Sequence, residues 1–174
     1  MDKLGRLMPP DLPQTIEPLR LAKAGKQIAG QYELCTMQRL GTLLHENTGD
    51  VSFILNFEWN AENGFYCITG EVNTSLITVC QRCLEGLCIE INSKVRLGIV
   101  NNKTEAEQLP SGFEPLLISD EPVSLLELVE DELLLAIPIA PMHEEKNCHA
   151  FEQIRNHYST ETNKPFAILE NLKK

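Results

Sequence analysis

Cys80-Gln81-Arg82-Cys83 is the segment of this chain whose residue types and spacing best suit chemistry. Two thiolates separated by two residues can both reach one zinc ion, and a tight β-turn is a common way to hold them. Two ligands do not close a site. His143 and Cys148, shortly after Pro138, form the natural second pair, with His149 as a substitute for either. The set Cys80, Cys83, His143 and Cys148 would make a structural Cys3His zinc centre with no coordination position left open for catalysis. The competing reading leaves Cys80 and Cys83 as ordinary reduced cysteines in a turn. A thioredoxin-like dithiol is the sharper rival, but it needs its first thiol at a helix N-terminus. Here the pair is followed by strand-like alternation, which disfavours redox catalysis.

Other catalytic signatures are missing from the sequence. It has no Gly-x-x-x-x-Gly-Lys phosphate loop, no Gly-x-Ser-x-Gly elbow and no His-Glu-x-x-His helix. His45 and His157 have no partners at ligand or triad spacing. Cys35 and Cys67 read as small buried hydrophobes, and Cys88 falls on the polar side of its strand. The expectation is a binding protein, not an enzyme, with no small-molecule substrate.

Charge is unevenly spread over the 174 residues, whose net is −10. Residues 1–40 carry six Lys/Arg against four Asp/Glu, whereas residues 101–149 carry two against eleven. Such asymmetry suggests two surfaces with different partners. Arg20, Lys23 and Lys26, with Arg82, Lys94 and Arg96, are the candidate phosphate contacts. Glu127, Glu130 and Asp131 are the candidate contacts to a basic protein. The plain alternative for the acidic stretch is a solvated face that aids solubility. No run approaches the roughly 18 apolar residues of a membrane span. The N-terminus lacks the apolar core of a secretory signal, so a cytoplasmic, reducing location is expected, with thiols and not disulfides.

These residues need elements to hold them. Thr15 is placed to cap a helix running to about Ala29 with Gly30 as its stop, and a second short helix is expected from Met37 to about His45. Val51, Phe53, Leu55, Phe57 and Trp59 alternate with polar residues and predict a strand buried on one face. Asn63-Gly64 signals a hairpin into a long strand from Phe65 to Cys80. A third strand follows, with Leu87, Ile89, Ile91, Val95, Leu97 and Ile99 on one side and Cys88, Glu90, Asn92, Lys94 and Arg96 on the other. The Cys pair therefore sits at a hairpin tip. Residues 101–122 read as an acidic loop with a short edge strand near Leu116–Ile118. Ser124 and Glu127 then form a capping box, Val123 and Leu128 fit a hydrophobic staple, and Pro138 ends the helix. Leu126, Val129, Leu133 and Ala136 would line its buried face. Pro165 to Leu172 looks like a small terminal amphipathic turn or helix. The fold class is α+β: an antiparallel β meander with packed helices, in a single domain over 1–174 with an extended lead over 1–15.

Taken in order, Cys80-Gln-Arg-Cys83, Glu114-Pro115, Leu125-Leu-Glu-Leu-Val-Glu-Asp-Glu132, Ile137-Pro138, Pro141-Met-His143, Cys148 and Pro165-Phe-Ala-Ile-Leu169 resemble the YceD family. These are large ribosomal RNA subunit accumulation proteins of bacteria. The resemblance implies a non-enzymatic factor supporting the synthesis, processing or stability of large-subunit ribosomal RNA, in contact with that RNA directly or through a ribosomal protein. It brings no established catalytic residue. The alternative is an adaptor or chaperone whose acidic face binds a basic ribosomal protein. The resemblance also favours reading Cys80, Cys83, His143 and Cys148 as one site.

Overall fold

The computed structural model describes residues 12–119 and 121–150. The expected element at residues 165–172, His157 and the first eleven residues of the lead lie outside them.

Three long strands form the frame. β4 (Asp50–Asn60), β5 (Phe65–Val79) and β6 (Gly86–Val100) pair in antiparallel succession. Their alternation puts Val51, Phe53, Leu55, Phe57, Ile68, Val72, Leu76, Val95 and Leu97 into one core. Gly70 allows a close approach of β5 to β4, since a Cβ there would lie 2.0 Å from the Ile54 carbonyl oxygen.

The N-terminal elements differ from the long helix expected there. β1 (Thr15–Ile16) precedes α1 (Pro18–Lys23), which gives way to an edge strand, β2 (Gln27–Glu33), antiparallel to β4. Gly25 at φ +57° ends the helix five residues before Gly30. A left-handed backbone there reverses the chain at no steric cost to glycine. Residues 37–45 are likewise divided into α2 (Gln38–Gly41) and β3 (Leu44–Glu46), the latter pairing with the far end of β5.

Residues 101–122 are more structured than a loop. Asn102 caps α3 (Lys103–Glu107) by accepting the Glu105 N–H. β7 (Glu114–Leu117) lies parallel to β6 and closes the sheet order β2-β4-β5-β6-β7. β8 (Val123–Ser124) pairs with β1. Ser124 then caps α4 (Leu125–Ala136), its hydroxyl accepting the Glu127 N–H at 3.3 Å. α1, α2 and α4 cover the core face of the sheet with Ala22, Leu40, Leu125, Leu128, Val129 and Leu133.

Candidate functional site

The β5–β6 connection is a knuckle built around Cys80. The Cys80 N–H donates to the Glu85 carbonyl, and the Leu84 N–H donates back to the Cys80 carbonyl, both at 2.9 Å. Leu84 takes φ +64°, the left-handed conformation that lets so short a turn close. Its side chain points into solvent.

The segment after α4 is delivered to this knuckle. Pro138 stops the helix, and the Pro141 carbonyl then accepts the Gln81 N–H at 2.8 Å. Two residues on, the His143 N–H points at the Cys80 sulfur at 3.4 Å. The His143 Nδ1 lies 3.3 Å from the Cys83 sulfur, while its Nε2 lies 3.1 Å from the Gly86 carbonyl. A carbonyl only accepts, so Nε2 carries the proton and Nδ1 presents its lone pair to the sulfurs. This is the arrangement by which a backbone carbonyl orients a metal-binding histidine. Arg82 donates to the His143 carbonyl at 3.4 Å and reaches the Met142 sulfur, bracing the same segment. Cys148, fully buried, completes the group.

The ligand atoms of Cys80, Cys83, His143 and Cys148 all lie within 4.8 Å of one another. Atoms bound to one tetrahedral ion at about 2.3 Å stand roughly 3.8 Å apart, so a contraction of about 1 Å at most would bring them into contact with a shared zinc. Electrostatics reinforces the geometry. Burial opposes ionisation of Cys80, but N–H groups of Cys83, His143 and Arg82 directed at its sulfur outweigh it and draw the thiol down to about 5. An N–H of Glu85 favours the Cys83 thiolate, yet burial and the sulfurs of Cys80 and Cys148 prevail and push it up to about 11. Three thiols crowded into one small volume cannot all ionise without a cation among them. Soft donors in a closed set of four fit zinc.

The remaining candidates are not gathered in this way. His149 is outside the cluster and lies 3.4 Å from the Glu85 carboxylate. Cys67 is buried and Cys88 exposed, whereas Cys35 is exposed with its thiol on the Glu33 carboxylate, contrary to the buried position expected. Arg20, Lys23 and Lys26 line one stretch, α1 and the turn after it, but not a continuous helix. Lys94 and Arg96 project from the opposite face of the sheet, where Glu58, Glu71 and Glu90 accompany them and Lys94 stands across from Glu71. Arg82 is at the knuckle. The six cations therefore occupy three separate places.

The acidic face of α4 needs a correction. Glu127 and Asp131 are exposed, but Glu130 has only 5% of its side chain accessible. Its carboxylate receives the Arg39 guanidinium at 3.0 Å and the buried Leu40 N–H at 3.0 Å. Arg39 also binds Asp131 at 2.6 Å. Glu130 thus joins α4 to α2 and is not open to a partner. The buried stripe is Leu125, Leu128, Val129 and Leu133, shifted from the one expected because the Glu130 edge of the helix also faces inward. Trp59, read from its alternation as a core residue, is half exposed at the end of β4. Among the described residues no helix is long and apolar enough to cross a membrane.

Comparison with known proteins agrees with the order of motifs along the chain. Residues 68–173 match the family model described as large ribosomal RNA subunit accumulation protein YceD. A protein of that name from Haemophilus influenzae is 30% identical over 168 residues, covering 93% of this chain and 96% of the relative. No solved structure matches. This chain belongs to the YceD family of large ribosomal RNA subunit accumulation proteins.

Proposed function

We propose that the chain supports the synthesis, processing or stability of large-subunit ribosomal RNA by binding and not by catalysis, as a cytoplasmic factor in ribosome assembly. The observation that carries this is the match to a relative of that name over nearly the full length of both chains. The site chemistry is consistent with it. Cys80, Cys83, His143 and Cys148 hold a zinc ion whose work is structural: with four protein ligands the metal has no open position for a substrate. The ion joins the β5–β6 knuckle to the segment following α4.

Arg20, Lys23 and Lys26 form the principal phosphate contact. Arg20 is largely exposed, with only a 3.7 Å approach to Glu17 one turn away. Lys94 and Arg96 are secondary, because acidic neighbours on the same sheet face weaken their attraction for a polyanion. The net charge of −10 keeps RNA affinity modest at physiological salt.

The test pairs a cell measurement with a binding measurement. Loss of the protein should lower mature large-subunit ribosomal RNA and spare the small-subunit RNA. Replacing Arg20, Lys23 and Lys26 by Glu should abolish association with ribosomal RNA fragments while leaving the fold intact, since exposed charges contribute little stability. Binding by the native protein should weaken with salt with a log–log slope of about 2, as three contacts to single-stranded phosphates imply. Equal decline of both subunit RNAs would overturn the specific role. Capture of a basic ribosomal protein without RNA affinity would favour the adaptor reading through Glu127 and Asp131.

A further inference from the structure

α1 does more than present positive charge: it forms one wall of a cleft with an aromatic floor. The opening lies between α1, the turn joining β4 to β5, and α3, and encloses about 410 Å³. Lys23 stands on one wall, Trp59 and Tyr66 on the floor, and Asn63 and Gln108 on the rim. Clefts of several hundred cubic ångströms are the size that takes small aromatic ligands.

The floor is held rigidly. Trp59, the only tryptophan of the chain, packs edge-on to Tyr66 with ring centroids 4.7 Å apart. Half of Trp59 nevertheless remains exposed. In the adjoining turn the Asn60 side chain accepts from both the backbone and the amide of Asn63, at 3.1 and 3.2 Å. Phe65 is fixed edge-on by Phe113 at 5.1 Å. A stacked ligand would therefore meet aromatic groups already ordered, with little rotamer entropy to lose. Lys23 is the cation that lines the cleft on the α1 side, with Arg20 one turn earlier on the same helix. Glu105 on the far rim accepts from N–H groups of Asn101 and Asn102 at 2.9 to 3.1 Å, which hold its carboxyl ionised, so a phosphate is favoured only on the α1 side.

We propose that this cleft receives an unpaired base of single-stranded RNA, stacked on Trp59, with Lys23 on the adjoining phosphate. The inference rests on the RNA-binding reading above and locates its site. A half-exposed indole next to a cation, with amides at the rim, is a combination suited to single strands. The indole meets the base face, the cation meets the backbone, and the amides reach the base edge. A duplex hides its base faces and would not fit.

Because Trp59 is the only indole, its fluorescence reports on this cleft alone. The full chain is titrated with fluorescein-labelled decauridylate, following both Trp59 emission and fluorescein anisotropy, and with an RNA duplex of the same length. Saturable quenching by the single strand and none by the duplex is the expected result. Trp59→Ala should weaken anisotropy-detected binding roughly 5- to 140-fold, the loss of one base stack. Trp59→Phe, which keeps a ring and the packing on Tyr66, should bind within about 3-fold of the native chain. Binding by anisotropy with Trp59 emission unchanged, or with Trp59→Ala as tight as native, would overturn the cleft and leave RNA binding by α1 standing. Equal quenching by the duplex would overturn base recognition. No binding by either measure would overturn both.

Discussion

Replacing Glu130 tests whether the acidic face of α4 is a surface or a joint. In Glu130→Ala the Leu40 N–H, buried and bonded to the carboxylate at 3.0 Å, is left without its acceptor. An unsatisfied buried donor costs about 1–3 kcal/mol. The Arg39 contact at 3.0 Å is lost too, but Arg39 is half exposed and keeps Asp131, so this adds only about 1 kcal/mol. The expected destabilisation is about 2–4 kcal/mol, with a fall in Tm on the order of 5–15 °C for a chain of this size. Glu130→Gln should cost less, because its carbonyl still accepts from Leu40. Urea unfolding of both variants measures the difference, and a cycle with Arg39→Met isolates the pair at about 1 kcal/mol. A loss below about 1 kcal/mol in Glu130→Ala, with no coupling to Arg39, would mean that α2 and α4 are not joined through this carboxylate.

Other perturbations probe different parts of the molecule. Leu133→Ala and Val129→Ala, each removing a side chain with no accessible surface, should cost about 2–4 kcal/mol in urea unfolding. Burial, then Glu114 and Asp131, push the Glu132 carboxyl up to about 7, so the folded state binds a proton that the unfolded state releases near its ordinary value. Stability should therefore fall as pH rises from about 4.5 to about 7. Glu132→Gln should remove that dependence and stabilise the protein at pH 8 by about 1–2 kcal/mol after allowance for solvent screening, as calorimetry at pH 4 and pH 8 would show. Protein purified without chelator should carry about one zinc per chain by elemental analysis, and Cys83→Ser should lower that content at least tenfold. Full metal content in Cys83→Ser would remove Cys83 from the ligand set.

How far the molecule could be read from its sequence follows from where the deciding interactions lie. β4, β5 and β6 declare themselves because each buries one face, so period-two alternation survives along their length. α4 is legible through Ser124, whose cap is local. The gathering of Cys80, Cys83, His143 and Cys148 was readable from residue type and spacing, since a hairpin tip and a proline-ended helix both supply donors near a chain reversal. β2 was missed for the opposite reason. Gln27–Glu33 is an edge strand whose half-buried face is Ile28, Gly30 and Tyr32, so its apolar alternation is interrupted at the glycine, and the helical propensity of the preceding residues runs into it. The parallel pairing of β7 depends on the crossover through α3 and has no local signature. Glu130 looks like any solvent-facing carboxylate on a helix. What draws it inward is an N–H and a guanidinium about ninety residues earlier in the chain.

The Cys/His cluster and the proposed cleft are separable because β5 holds them apart. Tyr66 and the turn before it stand at the start of the strand, and Cys80 and Cys83 follow its end. A strand of fifteen residues spans about 46 Å between its first and last Cα atoms. The hydrogen bonds of the segment 141–143 all run to residues 80–86, far from α1. Release of a metal bound at the Cys/His cluster would loosen the segment after α4 at one end of the sheet without disturbing Trp59, Lys23 or the turn at the other. Chelation should therefore lower thermal stability while leaving the affinity for short single-stranded RNA within about twofold of the metal-bound chain, provided the measurement is made well below the melting temperature. A parallel collapse of RNA binding under those conditions would mean that the segment after α4, not the α1 cleft, carries the RNA.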